Sequence, residues 1–581
     1  MTKHFSFLLF LFFAVFSTFN ADAQIEKDPA YQKFENFYPN KQLEATGAYW
    51  NGLEYGKWQF YYENGQLKQE AVYIEGMLQG KVTYYYPNGK KQDEGSFHKG
   101  KRQGKYVSWN SNGNIKIQGF YENDKPIGAW ISYYENGQKE WTGNYKNGLK
   151  DSVHVSFYIN GSKFKEQYFS NGKDSLLNAW DKNGKQTVSN GNGKLLDFYI
   201  SGALKEESNY LNGKKEGINL QYYENGSKWI VSNYQQGVKN GVYSLYFNNN
   251  QVQDSTNYLN GIEHGKFFQF NADGQLLSEG FYDQGAEDGA WTWYENGNKI
   301  IDGQFTKGLR TGKWLYYFPE NGTTEHIAFY KNDLKDGVWT FYYPSGSVLK
   351  TITFKNDQRN GAYKVYFEDG NKSKTGQFKA NKEEGKWTEW YENGKVKTYG
   401  EFAKGTLHGT WEGFYRSGQK EYITNYKMDK KHGDFVQFYP NGKKGIEGSY
   451  HEGSKIGMWT DWHDKGATIR QKGAYKLVTK KDAERKGALE TAKANQSDSL
   501  SIKDGIWLTY FDGQLDAISL KTPYKNGKIH GWMIQYYAAG GVKSKTKFVK
   551  GVKHGKMIIY NKEGKVISKV KYKNNQKVSA K

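Results

Sequence analysis

The sequence predicts an all-β fold, an elongated array of about 20 stacked antiparallel β-hairpins of about 24 residues that form a twisted single-sheet rod. One string carries the prediction: GKWQFYYENG from Gly56 returns as GAWISYYENG from Gly128 and as GVWTFYYPSG from Gly337. Glycine (68 residues) and aromatic residues (17%) are both abundant, whereas proline (8) is rare. Self-similarity at a fixed period is typical of a stacked repeat protein rather than of several globular domains.

Turn glycines recur along most of the chain at a spacing close to 24 residues. Asn250 takes the glycine position once, and either Gly540 or Gly541 takes it near the end. The other glycines of the series are Gly65, Gly89, Gly113, Gly137, Gly161, Gly202, Gly226, Gly274, Gly297, Gly322, Gly346, Gly370, Gly394, Gly418, Gly442, Gly466, Gly513 and Gly564.

Each copy predicts one hairpin. In its first strand Trp58, Phe60 and Tyr62 lie two residues apart and share one face, whereas Tyr61 points to the other face. The Glu-Asn-Gly that follows predicts a turn, because Asn and Gly both tolerate positive φ. The second strand carries Gly-x-aromatic, as in Gly119-Phe120-Tyr121. A strand glycine is weakening by itself, so we expect a ring from a neighbouring strand to cover it.

Neighbouring hairpins are expected to stack, because a single two-stranded hairpin is marginal in water. Two strands advance the sheet by roughly 10 Å, so twenty copies would extend roughly 200 Å. The chain contains no cysteine, and an exported protein of this kind would depend on stacking rather than on disulfide bonds.

The first residues have the features of an export signal. Lys3 and His4 form a short positive region, residues 5–19 are apolar, and Ala21-Asp22-Ala23 fits a cleavage site before Gln24. The apolar run is short for a membrane span, and an uncleaved anchor is the alternative. The sequence therefore predicts a periplasmic, outer-membrane-associated or extracellular protein.

The period fails in two places. Between Gly161 and Gly202 the turns crowd together, and between Gly466 and Gly513 lies a charged segment that predicts a solvated helix or a flexible excursion, either as part of a binding face or as a tolerated surface loop. The predicted organisation is a signal peptide (1–23), a degenerate N-terminal unit (24–46), regular repeats (47–160), irregular repeats (161–202), regular repeats (203–475), the charged insert (476–504), and C-terminal repeats with a basic tail (505–581).

The copies resemble the MORN repeat in its bacterial variant, through Gly-x-Trp/Phe-x-x-Tyr-Tyr-x-Asn-Gly followed by Gly-x-aromatic. The resemblance covers nearly all of residues 47–574 apart from the insert. It implies stacked β-hairpins and binding roles, namely phospholipid contact, protein scaffolding or self-association. Proteins of this variant are often catalogued as the antitoxin of a YwqK-type toxin–antitoxin module, from which a long exported array departs.

Two series of side chains are candidates for metal binding or for acid–base catalysis. Histidines recur before the glycine that opens a copy, but adjacent ones would lie about 10 Å apart by strand spacing, too far to share one ion. Turn glutamates could act as paired carboxylates, but they lack a pocket. We therefore predict no enzyme, no cofactor and no metal site. The histidines are His264, His408, His432, His530 and His554, and the glutamates are Glu63, Glu135, Glu224, Glu295 and Glu392.

The remaining candidate site is a stripe of aromatic residues beside lysines on the face opposite Trp58. Its alternative is a face already covered by rings and lysine stems. The candidate residues are Tyr61, Tyr85, Tyr133, Tyr342 and Trp390.

The net charge of +21 favours an acidic partner, although it is spread through every copy and also serves solubility. The leading hypothesis is a non-enzymatic exported scaffold that binds a protein, an anionic lipid headgroup or a glycan, or self-associates, at the cell envelope. Export argues against nucleic acid. The alternatives are an antitoxin or immunity protein and, more remotely, an enzyme acting on envelope polymer.

Overall fold

The computed structural model describes residues 25–464, 468–485 and 499–578. The predicted signal peptide (1–23), the turn glycine Gly466, the centre of the predicted insert and the last three residues lie outside the described residues. No helix in the described part of the chain is long and apolar enough to cross a membrane.

The chain divides into two compact units, one ending at Leu276 and the other beginning at Leu277. From residue 25 onwards, the first unit contains 22 strands that end before this boundary. They are β1 (Tyr31–Phe37), β2 (Leu43–Trp50), β3 (Leu53–Tyr61), β4 (Leu67–Ile74), β5 (Met77–Leu78), β6 (Gly80–Tyr85), β7 (Lys91–His98), β8 (Lys101–Trp109), β9 (Ile115–Glu122), β10 (Lys125–Tyr133), β11 (Lys139–Lys146), β12 (Leu149–Phe157), β13 (Lys163–Ser170), β14 (Lys173–Trp180), β15 (Gln186–Ser189), β16 (Asn192–Phe198), β17 (Leu204–Leu211), β18 (Lys214–Tyr222), β19 (Lys228–Gln235), β20 (Val238–Tyr246), β21 (Val252–Leu259) and β22 (Ile262–Phe270).

Among its described residues, the second unit contains the remaining strands and one short helix, α1 (Lys480–Arg485). Its strands are β23 (Leu276–Asp283), which begins at the boundary, β24 (Ala286–Glu287), β25 (Gly289–Glu295), β26 (Asn298–Thr306), β27 (Leu309–Tyr317), β28 (Thr324–Lys331), β29 (Leu334–Lys335), β30 (Gly337–Tyr342), β31 (Val348–Lys355), β32 (Gln358–Tyr366), β33 (Lys372–Lys379), β34 (Lys382–Trp390), β35 (Val396–Ala403), β36 (Thr406–Phe414), β37 (Lys420–Lys427), β38 (Lys430–Phe438), β39 (Lys444–His451), β40 (Ser454–Trp462), β41 (Ile469–Thr479), β42 (Ser499–Tyr510), β43 (Ile518–Lys525), β44 (Lys528–Ile529), β45 (Gly531–Tyr536), β46 (Val542–Val549), β47 (Val552–Tyr560), β48 (Val566–Lys573) and β49 (Gln576–Val578).

Within each unit the strands pair antiparallel with their neighbours in chain order, as β1 pairs with β2, β2 with β3 and β3 with β4. The sheet is open, and hairpin stacks on hairpin. The predicted all-β fold of stacked antiparallel hairpins is confirmed.

The turn inside each hairpin lies where the Asn-Gly pair predicts it. Gly65 has a φ of 79°, whereas Asn64 does not adopt positive φ. The amide of Gly65 donates to the Tyr62 carbonyl (2.8 Å), and the Tyr62 amide donates to the Gln66 carbonyl (2.8 Å). These bonds define a type I turn that ends in a left-handed glycine, so only the glycine of this pair adopts positive φ. Among the described turns inside the copies, Asn296 and Gly297 both adopt positive φ (49° and 81°), and that copy is one residue shorter.

Side chains of these turns connect each hairpin to the next. Tyr62 lies just beyond the strand, and its hydroxyl donates to the Tyr85 carbonyl (2.8 Å). Asn64 accepts from the Gln66 amide through Oδ1 and donates through Nδ2 to the Pro87 carbonyl, both at 3.0 Å. Equivalent tyrosines repeat this bond from Tyr38 (to the Tyr61 carbonyl, 2.8 Å) to Tyr537 (to the Tyr560 carbonyl, 2.7 Å). The Tyr and Asn of the repeated string therefore act between copies.

The glycine that opens a copy lies in a bulge. Between two paired positions β3 advances by four residues, from Tyr55 to Gln59, whereas β2 advances by two, from Thr46 to Ala48. Gly56 has a φ of 73° there, a conformation that glycine adopts without strain. The bulge brings Trp58 over Gly47 of the preceding strand.

The two irregular stretches have small aliphatic cores of their own. In β13 to β16, Leu176, Ala179, Val188 and Leu195 pack with Phe164 in place of a tryptophan. At the predicted insert, residues 476–479 pair with residues 499–502, and Val478, Leu500 and Ile502 form a buried cluster. The ends of the insert are thus strand, and α1 follows the first of them.

Candidate binding faces of the stacked hairpins

The tryptophan face is the side of each hairpin on which Trp58 lies. Trp58 is only 2% exposed and stacks beside Phe60 with ring centroids 5.8 Å apart. A Cβ added at Gly119 would come within 2.1 Å of the Trp130 ring. The predicted ring over the strand glycine is therefore confirmed. The same arrangement recurs at Gly47, Gly280, Gly303, Gly376, Gly400, Gly448 and Gly473, each beneath a tryptophan.

Hydrogen bonds and cations complete this face. The indole Nε1 of Trp130 donates to the Phe120 carbonyl at 3.2 Å, as Trp58 does to that of Ala48 at 3.1 Å. A basic side chain near the start of the first strand then lies over the rings, as Lys455 does 3.9 Å from the Trp459 centroid. Such cation–π contacts cover the rings and keep the charged head in water.

The stripe face is the opposite side, and it carries an aromatic residue at the end of every regular first strand. All five predicted stripe residues lie there: Tyr61, Tyr85, Tyr133, Tyr342 and Trp390 are half-buried. The series also includes residues that the sequence analysis did not name, although the same signal, an aromatic residue just before the turn string, identifies them. They are Trp109, Phe157, Trp180, Phe198, Tyr222, Tyr246, Phe270, Tyr294, Tyr317, Tyr366, Phe414, Phe438, Trp462, Tyr510, Tyr536 and Tyr560.

Several stripe hydroxyls are engaged with polar side chains of the same face. Tyr61 donates to Oε1 of Gln59 (3.3 Å), and Tyr133 accepts from Nε2 of Gln118 (2.9 Å). Tyr294 donates to Glu279 at 2.6 Å, and burial together with this bond raises the pKa of Tyr294 to about 12. The stripe is thus partly covered, and its role in binding stays a prediction.

In the first unit, carboxylates on the stripe face neutralise lysines. Glu70 binds Lys57 at 2.9 Å. Glu94 binds Lys81 at 2.9 Å and Lys91 at 2.6 Å. Burial alone would raise the pKa of Glu94, but the hydrogen bonds from these two lysines outweigh it and leave the pKa below its ordinary value. The positive charge of these lysines is therefore neutralised by ion pairs.

At the end of the second unit the same strand position carries lysine. Glu70 lies opposite Gln59, and correspondingly Lys545 lies opposite Ile534. Lys521 and Lys569 hold the same position in the neighbouring copies, opposite Leu508 and Ile558. We call the lysine face the group formed by Lys521, Lys545, Lys547, Lys556, Lys569 and Lys571.

The lysine face is unbalanced in charge. Residues 499–578 contain 16 lysines and four carboxylates, Asp504, Asp512, Asp516 and Glu563. Within these residues the structure records no ion pair for any lysine. Lys547 instead places Nζ 5.6 Å from the ring centroid of Trp532, which is 36% exposed. The face is therefore both basic and apolar.

The recurring histidines and the turn glutamates lie among neighbouring side chains of the repeat. The ring of His432 packs against His451 at 4.9 Å, and His408 lies opposite Glu401 in the strand register. Among residues 25–464, 468–485 and 499–578, no cluster of three or more His, Asp or Glu side chains could hold a metal ion. The turn glutamates Glu63, Glu135, Glu224, Glu295 and Glu392 are all exposed.

Nine segments match the family model described as the MORN repeat variant. They are residues 54–75, 78–99, 102–123, 126–147, 263–284, 335–356, 383–404, 407–428 and 553–574. Each runs from the bulge of a first strand to the turn after the second strand. These nine segments of the chain are therefore similar to MORN repeats. The matches give no support to the antitoxin assignment.

The other comparisons add little. No curated protein matches the sequence. A crystal structure of TcdB2-TccC3-Cdc42 is 10% identical with a TM-score of 0.12, over 90% of this chain and 30% of that one. A crystal structure of TcdB2-TccC3 without its hypervariable C-terminal region is 11% identical with a TM-score of 0.13, over 94% of this chain and 31% of that one. The structure of alternansucrase in complex with isomaltononaose is 16% identical with a TM-score of 0.14, over 50% of this chain and 23% of that one. Likenesses this weak carry no functional argument.

Proposed function

We propose that the protein is a non-enzymatic repeat scaffold of the cell envelope that docks onto an anionic lipid surface through the lysine face. The observation that carries the proposal is the run of lysines at the position where first-unit copies carry Glu70 and Glu94. A row of uncompensated lysines attracts an anionic surface, by about 1 kcal/mol for each lysine near the headgroups.

The apolar part of the lysine face favours lipid over a soluble polyanion. Trp532 lies beside Lys547, and Ile534 and Ile558 lie on either side of Lys545. Ile506, further along the same side, is 50% exposed. Aromatic and aliphatic side chains among lysines suit the boundary between headgroups and acyl chains, whereas a free polysaccharide would leave them in water.

The stacked copies supply the scaffold. Because every hairpin repeats the same register, the chain offers many similar positions on one sheet, and a group placed at one position recurs two strands later. The family resemblance favours binding over catalysis. Export through residues 1–23 is part of the proposal, and a cell fractionation that finds the protein only in the cytoplasm would contradict the envelope location.

The test is co-sedimentation of the full chain with phosphatidylcholine vesicles, with and without phosphatidylglycerol. We expect binding to the anionic vesicles alone, and weaker binding as salt rises, since screening shortens the reach of the lysines. The triple variant Lys521→Glu, Lys545→Glu, Lys569→Glu places at these positions the glutamate that first-unit copies have at Glu70 and Glu94. It should bind about 100-fold more weakly.

The matched control is Lys550→Glu, Lys562→Glu, Lys565→Glu, which has the same change in net charge in exposed turns of the same region. It should keep most of the binding. Equal loss in both variants would reduce the effect to overall charge and contradict the proposal. Binding to an anionic polysaccharide or an acidic protein, but not to anionic vesicles, would also overturn the lipid assignment.

A further inference from the structure

The tryptophan face of the second unit contains a cleft between two indoles. Trp387 on β34 and Trp411 on β36 form its walls. Phe402 of the intervening strand lies between them, with its ring centroid 5.8 Å from that of Trp387 and 5.2 Å from that of Trp411. Its remaining lining is Lys374, Glu389, Thr398 and Leu407, and its volume is about 180 Å³. A space of this size accommodates one small ring.

One residue that covers the indole in several other copies is different here. Gly413, two positions after Trp411, is itself covered by the Tyr422 ring and leaves no space. Four positions before the tryptophan, Lys455 covers Trp459 at 3.9 Å, whereas Leu407 precedes Trp411. Trp411 is consequently half-buried rather than covered.

Polar groups converge on the rim of the cleft. Lys374 Nζ binds Glu389 Oε1 at 2.8 Å and lies 5.3 Å from the Trp387 ring centroid. The hydroxyl of Thr398 donates to the Glu412 carbonyl at 2.9 Å. The Nε1 of Trp387 is buried without a hydrogen-bond partner, whereas that of Trp411 donates to the Glu401 carbonyl at 3.1 Å. Donors and acceptors therefore surround two apolar walls.

We propose that this cleft binds a neutral saccharide ring, a single pyranose or one residue of a glycan. The C–H face of a pyranose is apolar and packs on an indole, while its hydroxyls both donate and accept. They can accept from Lys374 and donate to Glu389. An entirely apolar ligand would bury the Lys374–Glu389 pair without replacing its contact with water.

Charged ligands fit less well. Glu389 disfavours an anion, and Lys374, already over the Trp387 ring, disfavours a cation. The site goes beyond lipid docking and is independent of it, because its residues lie on the tryptophan face and are not part of the lysine face.

The test is titration of the full chain with glucose, galactose, N-acetylglucosamine and their neutral oligomers, followed by saturation-transfer NMR of the sugar protons. We expect at least one of these probes to bind with a Kd in the millimolar range, since a single small ring offers few contact atoms. Failure of every probe would overturn the proposal.

Leu407→Lys is the decisive variant, because it places over Trp411 the cation that Lys455 places over Trp459. It should weaken sugar binding at least tenfold, and Glu389→Gln should also weaken it. The control Leu78→Lys makes the same change at the equivalent position of a copy that has Val82 in place of the tryptophan, and should leave binding unchanged. Binding that persists in Leu407→Lys would place the sugar elsewhere. Vesicle binding by Leu407→Lys should equal that of the parent chain, which separates this proposal from lipid docking.

Discussion

Two regions, the hairpins of β7 to β11 in the first unit and those of β43 to β48 in the second, share a strand register but not their side chains. In the first, Tyr106 lies opposite Gly119 and Trp130 opposite Gly143. In the second, Met533 lies opposite Thr546. On the other face, the first region has the ion-paired Glu94 where the second has Lys521, Lys545 and Lys569. The same backbone therefore supports two kinds of core and two kinds of surface.

The difference teaches that backbone pairing and turn bonds specify the fold, while individual positions specify what each face offers. The tyrosine bond between turns is present in both regions, from Tyr86 to the Trp109 carbonyl (2.8 Å) and from Tyr537 to the Tyr560 carbonyl (2.7 Å). The glycine beneath a ring is needed only where a ring lies there. Charge balance changes along the chain without any change of register.

The largest expected effect comes from Gly119→Val in the first region. A Cβ at this residue would lie 2.1 Å from the Trp130 ring, so the ring must leave its place. We expect a local cost of about 3–5 kcal/mol, the range for losing the packing of a buried aromatic side chain. Hydrogen exchange of residues 115–133 measures it.

Met533→Leu in the second region is the control for this prediction, since it conserves volume and should cost less than about 1.5 kcal/mol. Unchanged exchange in Gly119→Val would mean that the ring is not held by the glycine.

The second effect is a gain of binding. Glu70→Lys with Glu94→Lys should give the first unit a surface like the lysine face, because it frees Lys57, Lys81 and Lys91 from their ion pairs. We expect affinity for phosphatidylglycerol vesicles to rise about 30-fold, given about 1 kcal/mol for each of the two added lysines near the headgroups. Vesicle co-sedimentation measures the change.

Glu70→Gln with Glu94→Gln is the graded control, and its gain should be smaller because no lysine is added. If the reversed variant binds no better than the parent, lysine number on this face does not determine docking, and the comparison between the two regions loses its functional meaning.

The smallest effect is pH-dependent and belongs to the first region. The pKa of Glu94 lies below its ordinary value of 4.5, so its contribution to stability is complete above that value and is lost as the pH falls through the lower, folded pKa. The contribution should be under about 1 kcal/mol, since the lysine partners are largely exposed.

Hydrogen exchange of residues 91–109, corrected for intrinsic rate, should therefore show weaker protection at pH 3 than at pH 6. The exchange protection of residues 518–560, where lysine replaces the carboxylate, should not show this loss between pH 6 and pH 3. The Glu94→Gln variant should remove the pH effect from the first region, and its persistence there would assign the effect to another group.

Much of the fold could be predicted from the sequence because its signals are local. Alternation in Trp58-Gln59-Phe60-Tyr61 assigns the two faces, and the recurrence of the string predicts stacking. The turn at Asn64 was predicted but its type was not, because Asn-Gly fits two turn types and the choice depends on bonds made across the hairpin and to Pro87 of the next copy. The stripe was predicted at five residues, whereas its full extent follows from where each strand ends.

The sequence by itself determined the hairpin repeat, its period and the residues that face each other, since these follow from side-chain alternation and turn chemistry within about 24 residues. Only the tertiary structure decided which indole has a space beside it and which lysines lack a carboxylate. Both depend on neighbours from adjacent strands and copies: Leu407 leaves Trp411 without the cation that covers other indoles, and the charge of Lys545 is uncompensated because Ile534 and Ile558 lie opposite it.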